Sequence, residues 1–313
     1  MALFKNEKTL IKQTFSDKYK LIITSEINVG TMNIKTKALV RWFVNIKSIN
    51  ENNIHLELLT LENELIESNS PIVKEASSAS QAFARMFSEL DVIIDPSFKV
   101  LQVLNIDTIK SKWHILKKEL EDLKAEDPQG MLNLTIQTNE NILSDTNNII
   151  NSLQYNEFFQ FWAHHFYNTK INSFTNKYSS KTLFSTAIVD WSYNYMKQQA
   201  DSGNPNHYKL LIDANLETNT NKSWAKEAYK DFTHLDFDSF NPKLTEEGFY
   251  TIDNNTGKVI NGLLIKKEIV SPELLNATMS YEISIEDNYS VSDINKKSNY
   301  NPSSTTFSSL VDE

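Results

Sequence analysis

With 313 residues, 40% of them hydrophobic and 23% charged, the chain can fold as one large domain or two smaller ones. It has no cysteine, which removes disulfides, thiol catalysis and thiolate-held metals. Its net charge of -9, with only Arg41 and Arg85 as arginines, speaks against nucleic acid as a partner. The few glycines form no Gly-x-Gly-x-x-Gly, phosphate-loop or Gly-x-Ser-x-Gly pattern, so a standard nucleotide enzyme or α/β-hydrolase is not expected. No apolar run approaches the roughly 18 residues of a membrane helix. The opening MALFKNEKTLIKQTF lacks the apolar core of a secretory signal, and a cytoplasmic location is expected.

The first third reads as strands. From Ile34 to Lys47 the even positions are mostly apolar and the odd ones mostly polar, with Leu39 and Phe43 as exceptions. That is the period of a strand with one buried face. Tyr19 to Val29 and Asn53 to Ile66 behave alike, and polar links at Gly30 and Asn50-Glu51-Asn52 predict an antiparallel meander. The opening segment is expected to add to the same sheet.

At Pro71 the period changes. Ile72, Val73, Ala76, Ala79, Phe83, Met86, Phe87 and Leu90 recur at helical spacing, with proline at a favourable first position. Leu90 to Asn105 reads as two short strands around Asp95-Pro96-Ser97-Phe98. A second helix follows, with Asp107 as N-cap and a stripe of Ile109, Trp113, Leu116, Leu120 and Leu123, ended by Asp127-Pro128-Gln129-Gly130.

Asn139 to Gln199 is predicted to be mainly helical. Ile142, Ile149, Ile150 and Leu153 form one stripe, and Asn156 to Asn168 (NEFFQFWAHHFYN) forms an aromatic helix. Leu183 to Met196 is read as helix on the spacing of Leu183, Ala187, Ile188, Trp191 and Tyr195, although Trp191, Tyr193 and Tyr195 also alternate as a strand would. Strands return at Tyr208 to Leu216, a short helix at Ser223 to Phe232, and a last strand at Ala277 to Glu286. From about Asn288 the composition is that of a polar tail.

Tyr250 to Val270 admits two readings. Asp253-Asn254-Asn255-Thr256-Gly257 resembles the start of a calcium loop, yet counted from Asp253 the glycine comes fifth and the twelfth residue is Leu264. A loop of that type wants glycine sixth and glutamate twelfth. A hairpin turning at Asn254 to Gly257 is predicted instead. VIIDPSFKVLQVL (92–104) echoes YTIDNNTGKVINGLL (250–264), which either a duplication or the common chemistry of turns would produce.

Candidate chemistry is sparse. On a strand, His234, Asp236 and Asp238 would share a face and offer three metal donors, against the plainer reading of a solvated loop. His164 and His165 point about 100° apart on a helix, which favours a packed histidine over a shared ligand site; a histidine base with an acid partner is the sharper reading. Glu246-Glu247 and Glu62, Glu64 and Glu67 read as solvated charge. Phe158, Phe159, Phe161, Trp162, Phe166 and Tyr167, extended by Trp191 and Tyr195, form an excess of aromatics. Core is the first reading for them and a partner- or ligand-binding surface the second.

The expected fold is α+β: a large curved antiparallel β-sheet with helices on one face and a central helical insert. Residues 1–126 would form the meander with two helices, 127–200 the aromatic-rich insert, 201–287 the strands completing the sheet, and 288–313 the tail. The gross pattern resembles bacterial carrier proteins of the sheet-bag type at the level of fold alone. Function is expected to be non-catalytic protein binding, as an adaptor, an immunity-type inhibitor or a subunit of a larger bacterial assembly, with another protein or a second copy as partner and no cofactor. The alternatives are a carrier of an apolar small molecule between sheet and helices, and a metal-dependent enzyme using His234, Asp236 and Asp238.

Overall fold

Eleven strands form one sheet among the described residues, every neighbouring pair antiparallel. The computed structural model describes residues 7–122, 131–174, 176–200, 203–232 and 241–286. The strands are β1 (Phe15–Val29), β2 (Met32–Ile49), β3 (Ile54–Ser68), β4 (Glu89–Ile94), β5 (Val100–Val103), β6 (Asn176–Lys181), β7 (Ile188–Gln199), β8 (His207–Leu216), β9 (Lys243–Asp253), β10 (Val259–Ser271) and β11 (Leu275–Ile285). Their order is β5-β4-β3-β2-β1-β11-β10-β9-β8-β7-β6. Two meanders therefore meet where the first strand pairs with the last, from Tyr19 opposite Ile285 to Val29 opposite Leu275.

Directly opposed residues share a face. The ladder accordingly puts Tyr19, Trp42, Val44, Leu58, Leu264, Tyr250, Leu210 and Tyr195 on one side, and all are buried. That side is concave. A flat sheet would separate β4 from β7 by about 38 Å at ~4.8 Å per strand. Yet Phe98, at the β4–β5 turn, and Tyr195, on β7, both pack on one ring pair, Phe166 and Tyr167.

The helices are α1 (Pro71–Ala84), α2 (Ile106–Asp122), α3 (Met131–Ser144), α4 (Thr146–Leu153) and α5 (Lys222–Ala228). Ile109, Trp113, Leu116 and Leu120 of α2 join Ile136, Leu143, Ile149 and Leu153 of α3 and α4 in the same core as the sheet. Ser70 caps α1 ahead of Pro71, Asp145 caps α4 at 2.6 Å, and Asn221 caps α5 at 3.0 Å. Asp107 is not a cap: α2 begins at Ile106, and Asp107 places its charge in the positive first turn. α1 buries little of its apolar stripe. Ala82 is buried, but Ile72 is 78% exposed. α5 is seated more firmly, with Ala225, Ala228 and Tyr229 packed on Val270 and Leu275.

Four expectations need correction. Within the expected insert 127–200, the described residues are helical only in the earlier part, from Met131, because β6 and β7 lie within it and belong to the sheet. Leu183–Met196 is not a helix. β7 pairs on both sides, with β6 and β8, and the alternation of Trp191, Tyr193 and Tyr195 prevails over the helical spacing. The aromatic helix is a five-residue π-helical turn, Phe158–Trp162, followed by left-handed residues at His164, His165 and Asn168. A continuous helix would set residues 162 and 167 about 140° apart; the left-handed turn instead brings Trp162 and Tyr167 into a stack at 5.6 Å. Finally, among the described residues before Phe15 the opening segment adds no strand, only isolated bridges of Lys8 to Lys170 and Thr9 to Tyr167. The expected tail, 288–313, lies outside the described residues.

Counting from β1 and from β6 gives one plan twice: three strands, a helix, two strands. The echoed segments occupy the same step in each, β4–β5 and β9–β10. In both turns an aspartate carboxylate collects the turn. Asp95 accepts from the Ser97 and Lys99 amides, and Asp253 from those of Asn255 and Thr256. The predicted hairpin at Asn254 to Gly257 is present, and Gly257 there takes φ 77°.

Candidate functional site

The aromatic segment fills the concave face. Phe158 stacks on Trp162 at 5.1 Å and meets Trp42 edge-on at 5.6 Å; Trp162 also meets Tyr19 and Phe98, and Phe161 stacks on Tyr281 at 3.7 Å. Such offset and edge contacts add to the area that the rings bury. Tyrosine hydroxyls fasten the segment: Tyr195 donates to the His164 carbonyl at 2.9 Å, Tyr250 to that of Phe161, and Tyr167 to that of Gly257 at 2.8 Å. Of the eight residues singled out as a binding surface, Phe158, Phe159, Trp162, Phe166, Tyr167, Trp191 and Tyr195 are buried, and Phe161 is half-buried. They belong to one aromatic core with Tyr19, Trp42, Phe98, Tyr193 and Tyr250.

A charged centre lies against this core. The left-handed turn delivers His164, whose Nε2 lies 2.6 Å from Glu246 Oε1, and Lys266 Nζ lies 2.9 Å from Glu246 Oε2. Burial works to raise the Glu246 carboxyl, but Lys266 and His164 outweigh it and hold the group at about 2. Desolvation, aided by His164 and Lys266, depresses His165 to about 3, and its ring stacks on Tyr178 at 3.8 Å. Two positions along β10 from Lys266 is Glu268, 1% exposed. It accepts from the Tyr229 hydroxyl at 2.9 Å and from the Leu183 amide, and burial raises its pKa.

Glu246 is thus not the solvated charge expected, and the residue alternation could have shown it. Leu244, Glu246, Gly248 and Tyr250 fall on one face of β9, between an aliphatic and an aromatic residue that are both buried. A histidine oriented by a carboxylate is the arrangement of a general base. Here, however, both side chains are 2% exposed, and the cavity beside Glu246, Lys266 and Glu268 is about 20 Å³, room for about one water. The centre ties β9, β10 and the aromatic segment together.

The wide opening is elsewhere. A groove of about 730 Å³ runs over the far ends of β1, β2 and β3, lined by Thr24, Ser25, Glu26, Lys35, Thr36, Lys37, Ile66, Glu67, Ser68, Asn69, Lys74 of α1 and Thr278 of β11. Glu26 and Lys35 pair at 3.1 Å, and the Ser25 and Thr36 hydroxyls bond at 2.6 Å.

His234, Asp236 and Asp238 lie outside the described residues. Among those described, no group of three or more His, Asp or Glu is placed to hold a metal, and no helix is long and apolar enough to cross a membrane.

No family model and no curated protein matches the chain. Among solved structures it is similar to one described as lipid-protein interactions in lipovitellin, with TM-score 0.39 and 7% identity over 90% of this chain and 25% of that one. It is also similar to DynF from the dynemicin biosynthesis pathway of Micromonospora chersina, with TM-score 0.20 and 5% identity over 91% and 90%. A third is a putative outer membrane lipoprotein-sorting protein domain from Vibrio parahaemolyticus, with TM-score 0.16 and 6% identity over 90% of each chain. Likenesses of this size carry no argument.

Proposed function

We propose that the protein is a binding module that engages another protein through its surface, with the groove over β1, β2 and β3 as the contact. The observation that carries this reading is how the concave face is used. The chain's own aromatic segment fills it, and the space left beside the charged centre is about 20 Å³, against about 730 Å³ in the groove. The test is size-exclusion chromatography with light scattering, joined to co-purification from native lysate with wild type and with Thr36→Trp, which obstructs the groove. A partner or second copy held by wild type and lost by the variant is expected. A strict monomer that retains nothing overturns the reading.

A further inference from the structure

We propose that β6 is an open sheet edge that accepts an extended segment of another protein as a further strand, with acidic residues opposite Lys177 and Lys181. This contact is separate from the groove. The two edges of the sheet differ. β5 is short, its register shifts at Leu101, and Gln154, at the end of α4, accepts from the Val100 amide at 3.0 Å. Shortness, bulges and capping protect an edge. β6 pairs with β7 alone among the described residues.

The outward row of β6 follows from β7. Asp190 turns its amide to the Thr218 hydroxyl and its carbonyl to the Glu217 amide, both on the side away from β6. Its neighbours Val189 and Trp191 therefore bond towards β6, where they face Ser180 and Tyr178. Alternation leaves the amides and carbonyls of Lys177, Ser179 and Lys181 directed away from β7. Thr182 keeps the same alternation, donating its amide back to Ala187. No hydrogen bond reaches the outward groups among the described residues.

The side chains on either face of the edge select the occupant. On the outer face Lys177 and Lys181 are exposed and form no ion pair among the described residues. A second copy paired antiparallel through Ser179 would set Lys177 of each chain opposite Lys181 of the other. Like charges directly opposed destabilise a ladder, so the edge disfavours itself. Acidic residues at those two positions reverse the sign. The acids already on that face lie inland and are engaged by neutral donors. Asp190 accepts from the Ser179 hydroxyl at 2.5 Å, and Glu217 from Ser192 at 2.6 Å and Asn215 at 3.0 Å. On the concave face Tyr178 is half-buried, and Tyr155, 77% exposed, stands near its hydroxyl. The positions of an added strand that fall between its acids would cover these rings with apolar side chains, the usual division of labour in strand addition.

The test is fluorescence anisotropy with a labelled nonapeptide built on Glu-Val-Thr-Val-Glu, whose threonine amide would face β6 and whose valine amides would face away. Wild type is expected to bind it. N-methylation at the threonine should abolish binding, and N-methylation at a valine should spare it. Lys177→Gln/Lys181→Gln should bind the parent peptide about fivefold more weakly, the size expected of two exposed cross-strand charge pairs. Ser179→Pro removes an outward N–H while sparing the ladder to β7, and should not bind. Ser179→Ala loses only the hydroxyl bond to Asp190 and should bind as wild type does, as should Thr36→Trp in the groove. Thermal melts confirm that each variant folds. Undiminished binding of the N-methyl-threonine peptide, or by folded Ser179→Pro, overturns the edge as the site. Equal binding of a Lys-Val-Thr-Val-Lys peptide overturns the acidic assignment. A wild-type dimer in light scattering that Ser179→Pro dissolves overturns the choice of occupant in favour of a second copy.

Discussion

Lys266 and Glu246 stand opposite each other in the β9–β10 ladder, and their charged ends meet at 2.9 Å although the carboxylate is 2% exposed. A carboxylate so placed is tolerable only because the cation and His164 use both of its oxygens. Glu246→Gln should lower unfolding free energy in urea by about 3 kcal/mol, since it leaves a cation facing a neutral amide at the edge of the core. Glu246→Leu combined with Lys266→Met should cost clearly less than the two single changes added together. A single variant within about 0.5 kcal/mol of wild type would show that the pair is not coupled to folding.

The same centre sets how the fold responds to acid. Glu246 is held at about 2, below its unfolded value, so its contribution is complete above roughly pH 4.5 and is lost as pH falls towards 2. His165, depressed to about 3, acts earlier. Below roughly pH 6.5 the unfolded chain takes a proton that the buried ring refuses, and stability falls. Each group contributes a slope of at most about 1.4 kcal/mol per pH unit inside its window. Urea titrations between pH 7 and 3 should show the decline, and Glu246→Gln should flatten its lower part while leaving the part near pH 6.

Tyr229 holds α5 to the sheet through its 2.9 Å hydrogen bond to Glu268. Tyr229→Phe keeps the ring packing on Phe184 and Trp224 and removes only the hydroxyl. A loss of about 1–2 kcal/mol is expected. Hydrogen exchange should quicken in residues 222–229 and at Leu183 more than in β1 or β2. Uniform acceleration across the sheet would mean that the bond supports the whole fold rather than this corner.

Gly257 is irreplaceable for two reasons. Its φ is 77°, and a Cβ there would stand 1.8 Å from the Leu10 carbonyl oxygen. Gly257→Ala should cost more than 2 kcal/mol, roughly, and expose the Asn168 and Ile171 amides, which bond to Thr9 and Glu7. Gly203→Ala is the control. It shares a positive φ of 68° but meets nothing within 4 Å, so its cost should stay near the conformational ~1 kcal/mol.

What could be read in advance follows from which force decides each element. The meander from Phe15 to Ser68 was legible because alternation and short polar links are local. The Asp253 turn was legible because the side chain that organises it lies within the turn. β7 was not, because one stretch satisfies both periods and the choice belongs to β6 and β8, which flank it. The turn at His164 and His165 was hidden as well: nothing local favours a left-handed histidine pair, and it is held by Tyr195 and Glu246, both distant in sequence.

The pairing of β1 with β11 has a consequence for how the protein is made. Val29 waits for Leu275, near the other end of the described chain. At a synthesis rate of about 5–20 residues per second the wait is on the order of tens of seconds. Throughout that time one long strand of the finished first meander has its hydrogen-bonding edge bare, a template for any other unpaired strand nearby. The seam that joins the two halves is therefore also the point at which a nascent chain is most open to pairing with the wrong neighbour.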